Sequence, residues 1–220
     1  MKKALIVGAS RGIGAALAQD LTDRGESVIA LSRSADGLDV TDEQSVKASL
    51  ARLDGTFDTI IVATGALSAE DHAPEKTLKM LDPAATAAQF AVNATGPMLV
   101  LKHALRLLPR DRRSVFAALS ARVGSIGDNR LGGWYSYRAS KAALNQLVHT
   151  AAIEIARSHS QAICVALHPG TVATAFTENY RDRDKVTPKH AAANLLAVID
   201  GLSAADTGGF FDWAGKSIKW

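Results

Sequence analysis

Tyr137 and Lys141 stand four residues apart at the opening of a segment in which Ala142, Ala143, Leu144, Leu147, Val148, Ala151 and Ile155 recur at helical spacing. Residues four apart on a helix share a face, so the phenol and the amine lie one turn from each other. A phenol titrates near 10 and is a poor base and a modest acid at neutral pH unless a neighbouring cation favours its phenolate. A lysine one turn away supplies that cation. The pair reads as a tyrosine tuned for proton transfer, although the same tetrad also begins ordinary amphipathic helices. Tyr135 has Ala139 one turn on, not a lysine, and reads as a pocket wall.

Such a pair needs a scaffold and something to react with, and the first residues of the chain supply candidates. Ala4-Leu5-Ile6-Val7 is a continuous apolar run, as expected of a strand buried on both faces. After the glycine-rich turn Gly8-Ala9-Ser10-Arg11-Gly12-Ile13-Gly14, a helical pattern runs over Ala15, Leu17, Ala18 and Leu21 to a stop at Arg24-Gly25. Glycines allow close backbone approach, and a helix start offers free amide donors and a favourable dipole, so this turn reads as a cradle for a pyrophosphate. Gly8 to Gly12 also spells Gly-x-Ser-x-Gly, the nucleophile elbow of a hydrolase. An elbow requires earlier strands to build its oxyanion loop. Here the serine follows the first strand, and Gly14 would have no task.

Ser27 to Ser32 reads as a second strand, and Arg33 arrives where the adenine ribose of a dinucleotide would lie. An arginine there pairs with a 2′-phosphate and favours NADP(H), with Arg11 as a second positive charge, while Asp36 leaves NAD(H) as the alternative. A helix over Glu43 to Leu53, capped by Asp42 or Thr41, and a strand over Thr59 to Ala63 extend a βαβαβ alternation. Leu67 to Pro83 reads as a polar loop. Ala84 to Leu108 reads as a long helix interrupted at Gly96-Pro97, with Asn93 just before the break. Strands follow over Ser114 to Ser120 and Gln161 to Leu167. The turn His168-Pro169-Gly170-Thr171-Val172-Ala173-Thr174, a polar and mobile stretch from Ala175 to Val186, a helix over Pro188 to Leu202 and a short strand over Gly208 to Asp212 complete the chain. The expected fold is a single α/β Rossmann domain over residues 1–220, a doubly wound parallel sheet of about seven strands with helices on both faces.

Composition excludes several classes. The chain has 220 residues, 47% of them hydrophobic and 21% charged, which fits one ordinary globular domain rather than a disordered one. No apolar run is long enough to span a bilayer, and the apolar stretch after Met1-Lys2-Lys3 is too short for a signal peptide, so a cytoplasmic protein is expected. A net charge of +3 gives no case for nucleic acid, and Arg110-Asp111-Arg112-Arg113 reads as a solvated loop. The single cysteine, Cys164, is expected to be buried in a strand, and the six histidines show no ligand spacing, so no metal is expected.

Together these stretches resemble the short-chain dehydrogenase/reductase family over nearly the whole chain and in the family's order. Gly8 to Gly14 is similar to its glycine motif, Tyr137 and Lys141 to its Tyr-x-x-x-Lys pair, Asn93 to its helix asparagine and Pro169 to Thr174 to its nicotinamide loop. Arg122 to Ile126 and Gly132 to Tyr137 most resemble the C-factor and Sniffer-type carbonyl reductases. The resemblance implies an oxidoreductase that moves a hydride between NADP(H) and a small carbonyl or alcohol. Tyr137 would transfer the proton, and Lys141 would lower its pKa, hold the nicotinamide ribose and, through a water on the Asn93 carbonyl, connect the site to solvent. It implies cofactor contacts at Gly8, Ser10, Arg11, Gly12, Ile13, Gly14, Arg33, Asp39, Val40, Ala63, Thr64, Gly65, Tyr137, Lys141, Pro169, Gly170, Val172 and Thr174, and a homodimer or homotetramer built on the two long helices.

Two departures stand out. Ala63-Thr64-Gly65 replaces the family's Asn-Ala-Gly, and Ala121 occupies the place of its catalytic serine, three residues before Gly124. Ser120 is the expected substitute and Ser125 the other candidate. A protein that keeps the fold and binds NADP(H) as a sensor without turnover is the alternative reading.

Overall fold

The computed structural model describes residues 1–68, 72–178 and 184–220. Its elements run in chain order β1 (Lys3–Val7), α1 (Gly12–Asp23), β2 (Ser27–Leu31), α2 (Arg33–Asp36), α3 (Glu43–Ala51), β3 (Thr59–Val62), α4 (Pro83–Phe90), α5 (Gly96–Ala104), β4 (Ser114–Leu119), α6 (Tyr135–Ile155), β5 (Ala162–His168), α7 (Pro188–Gly201) and β6 (Phe210–Asp212). The strands form one parallel sheet in the order β2-β1-β3-β4-β5-β6.

The continuous apolar strands are explained by two cores, one on each face of the sheet. Along β1, Leu5 and Val7 enter the core beneath α3, α5 and α6, while Ala4 and Ile6 enter the one beneath α1 and α7. In β5, Cys164 and Ala166 point to the first core and Ile163, Val165 and Leu167 to the second. With both faces covered, no strand position can be polar without losing solvation, and alternation disappears from the sequence. Cys164 is buried in β5 as expected, and burial pushes its thiol up to about 12.

The chain winds outward from β1 to β2, returns, and winds the other way through β3 to β6. The reversal opens a crevice at the carboxyl ends of β1 and β3, where open α/β sheets bind ligands. Six strands are present among the described residues, against an expected count of about seven. In the six-strand dinucleotide order a further strand lies outside β2, but here the chain between α2 and α3 buries Leu38 and Val40 in the first core instead of pairing. Gly96 makes room for it, since a Cβ there would fall 2.9 Å from Val40 Cγ2.

The long helix expected over Ala84 to Leu108 is divided earlier than at Gly96-Pro97. A π turn over Ala91–Thr95 separates α4 from α5, and Gly96 and Pro97 begin α5. Pro97 lacks the N–H that an α-helix would direct at the carbonyl of Asn93, four residues back, so the ladder loosens around Asn93. Residues 69–71 of the loop expected over Leu67 to Pro83, and 179–183 of the mobile stretch expected over Ala175 to Val186, lie outside the described residues. Among the described residues, no helix is long and apolar enough to cross a membrane.

Candidate active site

The glycine turn between β1 and α1 is built by contacts that no side chain would permit. Gly8 has φ 92, and a Cβ on Gly14 would lie 2.1 Å from the Gly8 carbonyl oxygen. A Cβ on Gly8 would reach the backbone of Ala63 and Thr64 at 3.0 Å, and one on Gly12 would reach Thr174 Cγ2 at 3.3 Å. The turn therefore touches the end of β3 on one side and the turn after β5 on the other. Arg11 caps α1 without a side-chain hydrogen bond and the first turn holds no acidic residue, so the amides at the start of α1 have no side-chain acceptor from the cap, as an anion cradle requires. Ser10 and Arg11 are exposed on its rim and Ile13 is half-buried.

Beyond β2, Arg33 opens α2 and is exposed, beside the end of β2 where a ribose would lie. Asp36, the carboxylate that would suit a free ribose, is exposed and accepts the Ser32 N–H at 2.7 Å. Asp39 is held below the usual carboxylate range chiefly by hydrogen bonds from the Thr41 hydroxyl and N–H, with Arg33 adding a smaller effect. Val40 is buried.

The loop that follows Ala63 is held by Asn93. Asn93, fully buried in the π turn, accepts the Ala66 N–H at 2.9 Å and donates back to the Ala66 carbonyl at 2.8 Å. Its amide also reaches Gln89 Oε1 at 2.7 Å and Ser140 Oγ at 3.2 Å, so this one side chain ties the loop after β3 to α4 and α6. Thr64 Oγ1, beside Gly8, is buried without a hydrogen-bond partner among the described residues, which fits a ligand's polar group in the crevice. A Cβ on Gly65 would stand 3.2 Å from Asn93 Oδ1 and 3.5 Å from Lys141 Nζ.

Tyr137 and Lys141 lie one turn apart on α6, both buried. The Tyr137 ring is flanked by Trp134, with centroids 6.2 Å apart and edge-on, and by Phe176 at 5.9 Å. Lys141 Nζ donates to the Leu119 carbonyl at 2.8 Å, and Gly124 lets the chain press on it, since a Cβ there would fall 2.8 Å from the Lys141 carbonyl carbon. Burial lowers the lysine to about 7. It drives the tyrosine well above the ordinary phenol range, with no opposing contribution from the lysine. The expected lowering of the phenol by its neighbour is thus absent. Both groups are pushed toward their neutral forms.

The serine substitutes are engaged differently. The Ser120 hydroxyl donates to Asn145 Oδ1 at 2.6 Å. Asn145 is eight residues past Tyr137, about 12 Å along the helix axis, so the Ser120 hydroxyl is engaged two turns further along α6 than the phenol's own residue. Ser125, also buried, accepts the Asp128 N–H at 3.1 Å through Oγ, and among the described residues its own hydrogen is given to no acceptor. Its loop packs on residues 138–141, because Arg138 donates to the Val123 carbonyl and Gly124 abuts Lys141.

Across the crevice, Gly170 has φ 80 and packs against Trp213, Val172 bridges to Val186, and Thr174 meets Gly12. Pro169 follows His168, whose ring burial, and then the charge of Arg122, lowers to about 4. Glu75, Trp134, Phe176 and His168 were given no role by the sequence. Glu75 and Trp134 lie in loops and Phe176 in a single 3-10 turn, with no periodicity to mark them, and His168 ends β5 immediately before the Pro-Gly pair.

Residues 2–185 match the family model described as short chain dehydrogenase. The chain is 34% identical over 236 residues to 1-hydroxy-2-glutathionyl-2-methyl-3-butene dehydrogenase of Rhodococcus sp. (strain AD45), covering 100% of each. It is 35% identical over 141 residues to the C-signal protein of Myxococcus xanthus, covering 64% of this chain and 81% of that protein. The crystal structure of NADPH-bound carbonyl reductase from chicken fatty liver superposes with a TM-score of 0.85 at 26% identity, covering 100% of this chain and 99% of the other. These findings bear out the resemblance read from the motifs.

Proposed function

The chain belongs to the short-chain dehydrogenase family, and on that footing we propose that it is an oxidoreductase, preferring NADP(H), that acts on a small carbonyl or alcohol. The observation that carries this reading is the convergence of three separate stretches on Lys141 and the glycine turn. Gly65 opens toward Lys141 Nζ, Gly12 meets Thr174, and Tyr137 lies against Phe176 just beyond Thr174. The crevice they outline fits a dinucleotide, with a pyrophosphate on the amides of Gly12 to Gly14, a polar group on Thr64 and a 2′-phosphate between Arg33 and Arg11.

The dinucleotide, when bound, supplies or accepts the hydride. This chain's residues do the rest. Tyr137, kept protonated by burial, donates its proton to a carbonyl oxygen as the carbonyl carbon is reduced, and takes it back when an alcohol is oxidised. Lys141 near 7 can gain or lose a proton close to neutral pH, and its position beside Gly65 suits a ribose hydroxyl. Asn93 holds the loop after β3 in register with α6, and the loosened π turn leaves its carbonyl suited to a water that relays the proton. Ser125 is the second donor to the substrate oxygen, and Ser120 fixes Asn145. Residues 1–220 are read as one cofactor-binding and catalytic domain of a cytoplasmic homodimer or homotetramer, with no membrane, nucleic-acid or metal partner.

The test is NADPH and NADH binding by cofactor fluorescence, followed by turnover on a panel of aldehydes and ketones, and on alcohols with the oxidised cofactors. Alcohols bearing a bulky thioether belong in the panel, because the Rhodococcus relative is named for one. NADPH binding with turnover is expected. Failure to bind either cofactor would overturn the reading, while binding without turnover favours the sensor reading that the alanine at position 121 supports.

A further inference from the structure

The three residues that lead into α6 are left-handed: Gly132 at φ 63, Gly133 at φ 66 and Trp134 at φ 52. Among the described residues, Trp134 is the only non-glycine residue in that region. A bulky residue keeps such a backbone only where its surroundings over-determine it. The surroundings here are provided by Glu75. Its carbonyl oxygen accepts the Trp134 N–H, its Oε1 accepts the Ser136 hydroxyl, and its Oε2 faces the Ser136 N–H at 3.4 Å.

Glu75 is only 7% exposed, an unusual place for a carboxylate unless it has partners. Trp134 offers α6 no capping side chain, and Glu75 takes that place from a loop 61 residues away from Ser136. Thr86 on α4 holds Ser136 from the other side, its Oγ1 2.8 Å from Ser136 Oγ. Arg138 closes the turn by donating to the Gly133 carbonyl at 2.9 Å. Trp134 and Ser136, the two residues that Glu75 holds, bracket the approach to Tyr137, whose ring meets that of Trp134 edge-on.

We infer that Glu75 is a positioning residue for Tyr137: by bonding Trp134 and Ser136 it sets the left-handed entry and the first turn of α6, and so aims the phenol. The inference rests on the oxidoreductase reading for its kinetic consequence. Its structural consequence stands apart from that reading.

Both are tested with Glu75→Ala, Glu75→Gln, Ser136→Ala and the Glu75→Ala/Ser136→Ala double variant, by steady-state kinetics, NADPH binding and amide hydrogen exchange. Glu75→Ala is expected to lower kcat about tenfold or more by misplacing the phenol, with NADPH affinity within about twofold of wild type. Glu75→Gln, whose amide oxygen still accepts from Ser136, is expected to recover most of the loss. The double variant should be no worse than the poorer single one. Exchange over residues 134–141 should quicken in Glu75→Ala. A folded Glu75→Ala protein with wild-type kcat, or an equal kcat loss in Glu75→Gln, would overturn the inference. Should Glu75→Ala not fold, Glu75→Gln and Ser136→Ala carry the test, and Ser136→Ala with wild-type kcat overturns it. If the wild-type protein reduces no carbonyl, the oxidoreductase reading has failed, and unchanged exchange over 134–141 in Glu75→Ala then decides against Glu75 separately.

Discussion

The Ser120 hydroxyl donates to Asn145 Oδ1 across 2.6 Å, two helical turns beyond Tyr137 on the same face of α6. A hydroxyl spent on that bond is poorly placed to share a substrate oxygen with the phenol, whereas Ser125 has a hydrogen to give. Ser125→Ala is therefore expected to lower kcat/KM more than Ser120→Ala, by about tenfold or more, as removal of one donor to a developing oxyanion does. Ser120→Ala should act mainly on stability, by about 1 to 3 kcal/mol, because it leaves the buried Asn145 oxygen unpaired. Steady-state kinetics and urea denaturation of the two variants separate the roles, and the reverse order would return the catalytic assignment to Ser120.

Tyr137→Phe removes one oxygen and keeps the ring between Trp134 and Phe176. Turnover is expected to fall by about 10² to 10⁴ if the phenol transfers the proton, while NADPH binding persists. A wild-type rate on an accepted substrate would refute the role.

Lys141 sits at about 7 in the folded protein against an ordinary 10.5. Below pH 7 both folded and unfolded chains carry the proton, and the fold bears the full cost of burying it. That cost declines as pH rises above 7 and is gone above 10.5, where both release it. Relative to wild type, Lys141→Met should therefore gain stability on the acid side, and the difference should shift by on the order of a few kcal/mol between about pH 6 and pH 9. Denaturant titrations over that range measure it. A difference that does not vary with pH would mean that the amine is not held down by burial.

Arg33→Asp should shift cofactor preference from NADPH toward NADH. Loss of a charge-assisted bond to a phosphate is expected to cost about tenfold to a hundredfold in NADPH affinity. The ratio of the two dissociation constants is the readout, and an unchanged ratio would move the credit to Arg11.

Gly14→Ala would set a methyl group 2.1 Å from the Gly8 carbonyl oxygen, a contact that only backbone displacement can relieve. We expect at least about 1 to 3 kcal/mol of lost stability, and loss of dinucleotide binding because the same amides form the cradle. Thermal unfolding and cofactor titration check both parts.

Much of the fold was legible because its signals are local. The strands β1, β3, β4 and β5 appear as short apolar runs, since both faces of each are covered. The helices appear as apolar residues at helical spacing, and the glycine turn is marked by the lack of side chains at positions that have no room for them. The break in the long helix was misplaced by a few residues. The sequence displays the proline, but the lost hydrogen bond falls four residues earlier, at Asn93. The six strands are those the apolar runs mark, and the chain between α2 and α3 packs Leu38 and Val40 against the core without forming another.

The sequence by itself determined the order of elements, the cradle, and the pairing of Tyr137 with Lys141, because each depends on residues within a few turns of one another. Only the tertiary structure decided where the long-range polar bonds go: Ser120 to Asn145, Asn93 to Ala66, Lys141 to Leu119 and Glu75 to Ser136. It also reversed the expected effect on the phenol, since burial raises it and the lysine makes no opposing contribution. Hydrogen-bond partners and desolvation arise from residues distant in the chain that meet in the folded protein, and neither leaves a period or a spacing for a sequence to display.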